Sequence, residues 1–527
     1  MIKVRQIKVE VLSDNEDSRK KSLLKKLKLN DNGLLDYKIT KQSLDARNKN
    51  EIYYVYEMVV NIINEKEYLA KNKNKDITYY EEEKYTFNKT GTKTLNNNII
   101  IVGSGPAGLF CAYTLAENGY KPIIIERGKK IEERIKDVET FWNNNKLNLS
   151  SNVQFGEGGA GTFSDGKLNT LIKDKNNRMK KVFETFVVCG APEEILYSYK
   201  PHVGTDKLQN VIINLRNKIQ SLGGKFLYET TLTDIVVDND KIKKIIINNN
   251  EELNCDALVL AIGHSARDTF EMLYEKNLNM ENKPFAVGLR IQHKQKDIDI
   301  SQYGEKFANV LSKSTYKLTN QTKSGRGVYT FCMCPGGFVV NASSEDNRLV
   351  VNGMSNHNRD EENANSAVIV TVSEKDYGTN ILDGLRYQRL LEEKAYTIGN
   401  GKIPVQLLGD YNNNLVSKSF NDIKPVMKGD YTFANLNELF SKEINESLKE
   451  TFMEYGKKIK GFDNESSILA GVESRTSSPV KILRDETHQS NIEGIFPCGE
   501  GAGYAGGITS SAVDGIKVAE AIGKIYK

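Results

Sequence analysis

Hydrophobic and polar positions divide the chain into three textures. In residues 1–63 they alternate. "MIKVRQIKVEVL" reads as a half-buried strand, "SRKKSLLKKLK" sets Leu23, Leu24 and Leu27 on one side of a helix, and "YKITKQSL" and "EIYYVYEMVVNII" read as further strands. This order predicts a small α/β domain over residues 1–95, with the polar stretch 64–98 as a connector that has room for one strand. From Asn98 the apolar runs become unbroken: "NIIIVG", "KPIIIERG", "DALVLAIGHS" and "EGIFPCG" read as strands buried on both faces. A helix, "PAGLFCAYTLAENG", separates the first two and makes a βαβ unit. "KFLYETTLTDIVVDNDKIKKIIINN" reads as strands joined by a turn at Asp238–Asp240. Between about 284 and 457 the strands lengthen and alternate again ("FAVGLRIQH", "GVYTFCMC", "AVIVTVS"), with helices such as "LDGLRYQRLLEEKAYTIG". The reading is an α/β fold: a Rossmann-like domain over 97–283 and 458–527, with a mainly antiparallel α+β domain inserted at 284–457.

Composition changes this picture little. At 527 residues the chain is too long for one core. The net charge of +4 is small, but residues 1–95 hold 20 Lys/Arg against 15 Asp/Glu, a local +5. The excess sits on Ser18–Lys28, read as a solvated helix face rather than a nucleic-acid surface. No apolar run approaches the roughly 20 residues of a membrane span, and the first residues have no apolar signal core. Six scattered cysteines suggest no disulfide framework, so a cytoplasmic location is expected.

The chemistry lies in two glycine turns. "GSGPAG" puts Gly103, Gly105 and Gly108 in G-x-G-x-x-G spacing, after a strand and opening a helix. Gly103 permits the tight turn, Gly105 admits a pyrophosphate to the backbone, and Gly108 lets helix pack on strand. Ser104 and Ala107 complete the turn, and Pro106 suits a first helical turn. The helix N-terminus offers free N–H groups to phosphate. Glu126 follows the second strand, 23 residues after Gly103, where a carboxylate accepts from a ribose 2′-OH; Arg127 stands beside it.

NAD and FAD share this ADP half. The second turn, "CGEGAGYAGGITSSAVDG", selects FAD, which has a ribityl chain and a ring still to be held. Gly499 and Glu500 would meet the ribityl hydroxyls. Gly506 and Gly507 would let the backbone approach the ring, and the helix from Ile508 would point its positive end at the flavin.

With both turns in hand, the chain resembles FAD-dependent oxidoreductases of the glutathione-reductase-type fold. More closely it resembles a bacterial group known as uncharacterised FAD-dependent, or NAD(FAD)-utilising, dehydrogenases. "VGSGPAGLFCAYTLAENG", "NVQFGEGGAGTFSDGKLNT", "FCMCPGG", "GVESRTSSPVKI" and "PCGEGAGYAGGITSSAVDGIKVAE" carry the likeness. It implies non-covalent FAD and no defined substrate. It also implies that the loop with Gly159, Ala160, Gly161, Thr162, Asp165, Gly166 and Lys167 covers the pyrophosphate and flavin, and that Leu232, Ala261 and Gly263 contact the adenine side.

The weaker signals are these. Lys167 and Arg475 are catalytic candidates: Lys167 to stabilise charge near the flavin, Arg475 to bind an anionic substrate or the flavin, against a packing or ion-pair role. Cys332 and Cys334 would face one side of their strand and are read as two buried cysteines rather than a redox pair. The five histidines are isolated, with His264 the first to test, and no metal-ligand spacing stands out. No second strand–glycine–helix unit appears, so NAD(P)H or an electron-donor protein would reach the flavin transiently. The favoured reading is a flavin oxidoreductase acting on a small molecule. The alternatives are a flavoprotein acting on RNA through the basic N-terminal domain, and a redox sensor.

Overall fold

The computed structural model describes residues 1–527. Residues 1–79 form a four-stranded antiparallel sheet in the order Leu34–Asp45, Tyr53–Ile62, Ile2–Glu10, Ile77–Tyr79. The helix Glu16–Leu27 covers it. Its Asn15 cap accepts from Ser18 N at 2.9 Å, and Leu23 and Leu27 enter the core. Three cations of the basic run are matched inside the domain: Arg19 with Asp14 at 2.5 Å, Lys20 with Asp31 at 2.7 Å, and Lys26 with Asp76 at 2.5 Å. Those pairs shrink the free positive face.

The connector is more ordered than its polarity suggests. It holds the helix Glu65–Lys71 as well as the strand Ile77–Tyr79. Tertiary contact supplies the reason: Tyr68 Oη donates to the Leu27 carbonyl at 2.7 Å, and Ile77 buries its side chain beside Val4.

The central sheet begins with parallel strands in the order Lys225–Leu227, Ile123–Ile125, Asn98–Val102, Glu251–Leu260. Glu251–Leu260 has two partners in turn. Its first residues pair antiparallel with Lys241–Ile247, and its last pair parallel with Asn98–Val102 and with Ile495–Pro497. Lys241–Ile247 also pairs antiparallel with the edge strand Leu232–Asp238, and Asn239 and Asp240 join those two with φ of 50° and 56°, as a two-residue hairpin requires. One face is covered by Pro106–Glu117, Thr205–Ser221 and the last helix, Ile508–Ile525.

The inserted sheet runs Thr319–Gln321, Gly327–Cys334, Asn363–Val372, Phe285–Lys294, Ile468–Glu473, Ile403–Leu407, Tyr431–Phe433. Ile468–Glu473, given to the first domain by the sequence boundary at 458, is therefore a strand of the insertion. Its six residues are all buried, between two antiparallel partners. A run buried on both faces has no periodicity to say which sheet it joins. The N-terminal domain leans on the insertion through Val11 and Ile52 packed against Tyr303, Phe307 and Leu311.

Candidate functional site

The two glycine turns meet. Each opens a helix, Pro106–Glu117 and Ile508–Ile525, and neither helix has a side-chain cap. The helices pack closely because Gly515 has no side chain: a Cβ there would lie 2.2 Å from the Ala107 carbonyl. Gly499 likewise sits against Ala107. Uncapped N–H groups from two helix N-termini therefore open on one cavity of about 370 Å³.

The cavity wall brings together Gly103, Gly105, Pro106, Ala107, Glu126, Arg127, Gly159, Ala160, Gly161, Asp165, Lys167, Leu232, Ala261, Gly263, Arg475, Glu500, Gly506, Gly507 and Ile508. Ser104, Gly108, Thr162, Gly166 and Gly499 lie behind it. A Cβ on Gly108 would come within 1.9 Å of the Gly103 carbonyl, so this glycine closes the turn rather than touching a ligand. Around Gly263 and Gly506 a Cβ would meet nothing within 4 Å. That open cradle, with two helix N-termini opening on it, fits an elongated dinucleotide.

Glu126 has a second task that its spacing does not reveal. Its Oε2 accepts from Ser104 N at 2.9 Å and Ser104 Oγ at 2.8 Å; its Oε1 accepts from Gly128 N and Gly156 N, each at 3.0 Å. Four donors fill the four lone-pair sites of a carboxylate. Glu126 thus ties the first turn to the loop beyond the second strand while lining the cavity.

Arg134 organises that loop. Fully buried, it donates to the carbonyls of Asn152 (2.8 Å), Val153 (2.9 Å), Glu157 (2.7 Å) and Gly159 (2.9 Å). Burial brings its guanidinium down to about 10, against the attraction of Glu126 and Glu157. Sequence reasoning missed it, yet a signal existed. In "IEERIKDVETFWNN" the buried stripe is Ile131, Arg134, Val138 and Phe141, an arginine at a core position of an amphipathic helix.

Lys167 Nζ lies in the wall 3.7 Å from Asp165, whose carboxylate also takes Nε of Arg359 at 2.9 Å. Burial alone would raise Asp165, but the cations of Lys167 and Arg359 outweigh it and hold it low. Arg475 is committed elsewhere. It grips Glu392 with Nε at 2.9 Å and Nη2 at 2.7 Å, and donates from Nη1 to Ser344 and Ser265. Its guanidinium is thus held by an ion pair at the cavity wall. His264 Nδ1 stands 3.7 Å from Glu500. Burial, helped by Arg475 and Arg267, lowers this imidazole to about 3 and keeps it neutral. Burial pushes the Glu500 carboxyl up to about 7, with Lys283 pulling the other way.

The strand Gly327–Cys334 corrects the reading of its cysteines. Pairing with Asn363–Val372 slips between Phe331 and Cys334, and Cys332 takes φ +44°. At this bulge Cys332 reaches the cavity wall and is only half-buried, while Cys334 is fully buried.

Comparison with known proteins agrees with this architecture. Residues 97–272 match the family described as pyridine nucleotide-disulphide oxidoreductase, residues 284–476 the FAD-dependent protein, C-terminal domain-like family, and residues 1–61 a domain of unknown function. An uncharacterized protein of Clostridium beijerinckii is 47% identical over 517 residues, covering 97% of this chain and 96% of its own. A ribosomal RNA dihydrouridine synthase of Haemophilus influenzae is 23% identical over 175 residues, 31% of this chain and 39% of its own. Among solved structures, a geranylgeranyl bacteriochlorophyll reductase-like protein of Thermoplasma acidophilum shares 12% identity, with 82% of this chain and 79% of that one covered, at a TM-score of 0.35. Matched along almost its whole length to the clostridial protein, and in its two larger units to flavoprotein families, the chain belongs to a family of FAD-dependent oxidoreductases.

Proposed function

We propose that FAD lies along the cavity with its pyrophosphate over the turn at Gly105–Ala107 and its ring beside the start of the helix Ile508–Ile525. A small organic substrate would sit between the ring and the inserted sheet. The observation that carries this reading is the pair of uncapped helix N-termini opening on one cavity. Bound FAD supplies hydride transfer; the chain's residues bind, orient and balance charge. Gly105 and Gly159 leave the backbone bare where phosphates would approach. Glu126 reaches a ribose hydroxyl once the Ser104 hydroxyl turns away, while the other three donors keep the loop tied. Lys167, only part-neutralised by Asp165 at 3.7 Å, faces the ring end with charge to spare. Glu500 meets the ribityl hydroxyls.

NAD(P)H is the proposed electron donor, arriving over the ring. Anaerobic mixing of the yellow protein with NADH and NADPH tests it: bleaching of the flavin band by either is expected. No bleaching by both would remove the pyridine nucleotide from this reading and leave FAD binding intact.

A further inference from the structure

Charge is not balanced evenly along the cavity wall. Most of it is matched where it stands. Glu126 accepts four donors, and Arg127 pairs with Asp268 at 2.9 Å. Arg475 grips Glu392, and Glu473 holds the buried Arg290 at 2.9 and 3.0 Å. Glu500 faces the neutral His264 at 3.7 Å. Beside Lys167 the sum turns positive. Asp165 is already bound by Nε of Arg359 at 2.9 Å and lies 3.7 Å from Lys167, so two cations share one carboxylate.

A short ribbon brings a third cation to the same place. Leu168 N donates to the Pro201 carbonyl and Val203 N to the Gly166 carbonyl, each at 3.0 Å. Lys167 and His202 therefore stand opposite one another as an antiparallel, non-hydrogen-bonded pair, the kind whose side chains lie closest. Asn169, also in the cavity wall, donates to the Tyr199 carbonyl at 3.2 Å. The next residue, Lys200, is half-buried and forms no ion pair. Burial, then the repulsion of Arg359 and Lys167, lowers its ammonium to about 8, still charged at neutral pH. The other neighbours do not offset it. Burial first, then Arg359, holds His202 neutral at about 4. Glu194 and Asp206 meet His357 instead, at its Nε2 (3.8 Å) and its backbone N (2.7 Å). The ribbon also touches the second helix: Thr509 Oγ1 donates to the Leu168 carbonyl at 2.7 Å. Crowded, partly buried cations with one shared counter-ion are costly unless an anion joins them.

We propose that Lys167 and Lys200 form an anion subsite beside the start of the helix Ile508–Ile525, taking a carboxylate or phosphate of the molecule that meets the flavin. Each ammonium donates to an oxygen of that group. Two molecules carry such a group to this place: an anionic substrate, or a pyridine nucleotide whose ribose bears a 2′-phosphate. The inference rests on the proposed function for the position of the flavin ring.

Lysine acetylation by acetic anhydride, read by peptide mass in FAD-loaded protein, tests the subsite. Inorganic phosphate is the probe, and chloride at equal ionic strength is the control. Phosphate is expected to shield Lys167 and Lys200 and to perturb the flavin band along one saturation curve. Lys200→Met should weaken that curve about tenfold, the worth of one hydrogen bond to a charged group, and Lys200→Arg, which keeps the charge, should hold it. Rapid mixing with NADPH and NADH then separates the sources. A preference for NADPH that Lys200→Met removes assigns the anion to the donor, and an unchanged ratio assigns it to the substrate. Phosphate that shields Lys200 no better than chloride, or that binds Lys200→Met as tightly as the parent, overturns the proposal. Failure to take up FAD would instead strike the cofactor reading, and shielding of Lys200 in flavin-free protein would still decide the subsite.

Discussion

Single residues in this site hold two jobs at once, and the two can be separated. Glu126 is both a candidate ribose ligand and the acceptor of four loop donors. A pure ligand could be removed without harm to the flavin-free fold. Glu126→Ala should instead lower flavin-free stability by about 2–4 kcal/mol, because three backbone donors are stranded in a buried turn. Thermal unfolding without FAD checks this, and an unchanged midpoint would return Glu126 to ligand alone. Glu500 carries a pH dependence. Its folded carboxyl holds its proton up to about 7, whereas the free group releases it near 4.5. Its contribution to stability is thus fully present below 4.5 and is lost as pH rises through 7. FAD binding should run the other way, tightening as the carboxylate forms and accepts from ribityl hydroxyls. Glu500→Gln should flatten both curves, read by chemical unfolding of flavin-free protein and by flavin fluorescence titration from pH 5 to 8.5.

At the scale of elements, two helices arrive from opposite ends of the domain and bind through glycine. The contact at Gly515 has no room for a methyl group, 2.2 Å from a carbonyl oxygen. Gly515→Ala should force the helices apart at a cost of about 1–3 kcal/mol and weaken FAD retention as a consequence. Gly506 is the converse, with no neighbour within 4 Å of its missing Cβ. Gly506→Ala should leave flavin-free unfolding unchanged and weaken FAD binding alone, by about tenfold if a methyl group displaces the ring contact. Equal losses in both variants would mean that the second turn is scaffold. The bulge at Cys332 belongs to this scale too: at the slip against Asn363–Val372 one residue of the strand reaches the cavity wall, and alternating periodicity gives no hint of it.

The whole molecule is tied by contacts between distant segments. Phe307, only 2% exposed, is the insertion's plug in the cluster with Val11 and Ile52. Phe307→Ala should cost about 3–5 kcal/mol at that seam and free the N-terminal domain, seen as faster limited proteolysis between residues 80 and 97 with FAD content unchanged. The basic helix adds less than its composition promises, because Arg19, Lys20 and Lys26 are matched within its own domain.

The chain's sequence determined the elements and one half of the chemistry. Buried runs, a glycine turn after a strand and an acid at a fixed distance are local facts, set by backbone sterics and hydrogen-bond geometry within about 30 residues. Tertiary structure decided the rest. It set the sheet that Ile468–Glu473 joins, the partner that consumes Arg475, the four donors on Glu126 and the loop held by Arg134. Each of these depends on pairings across tens to hundreds of positions, where an apolar or charged residue advertises its need for a partner and not the partner's identity.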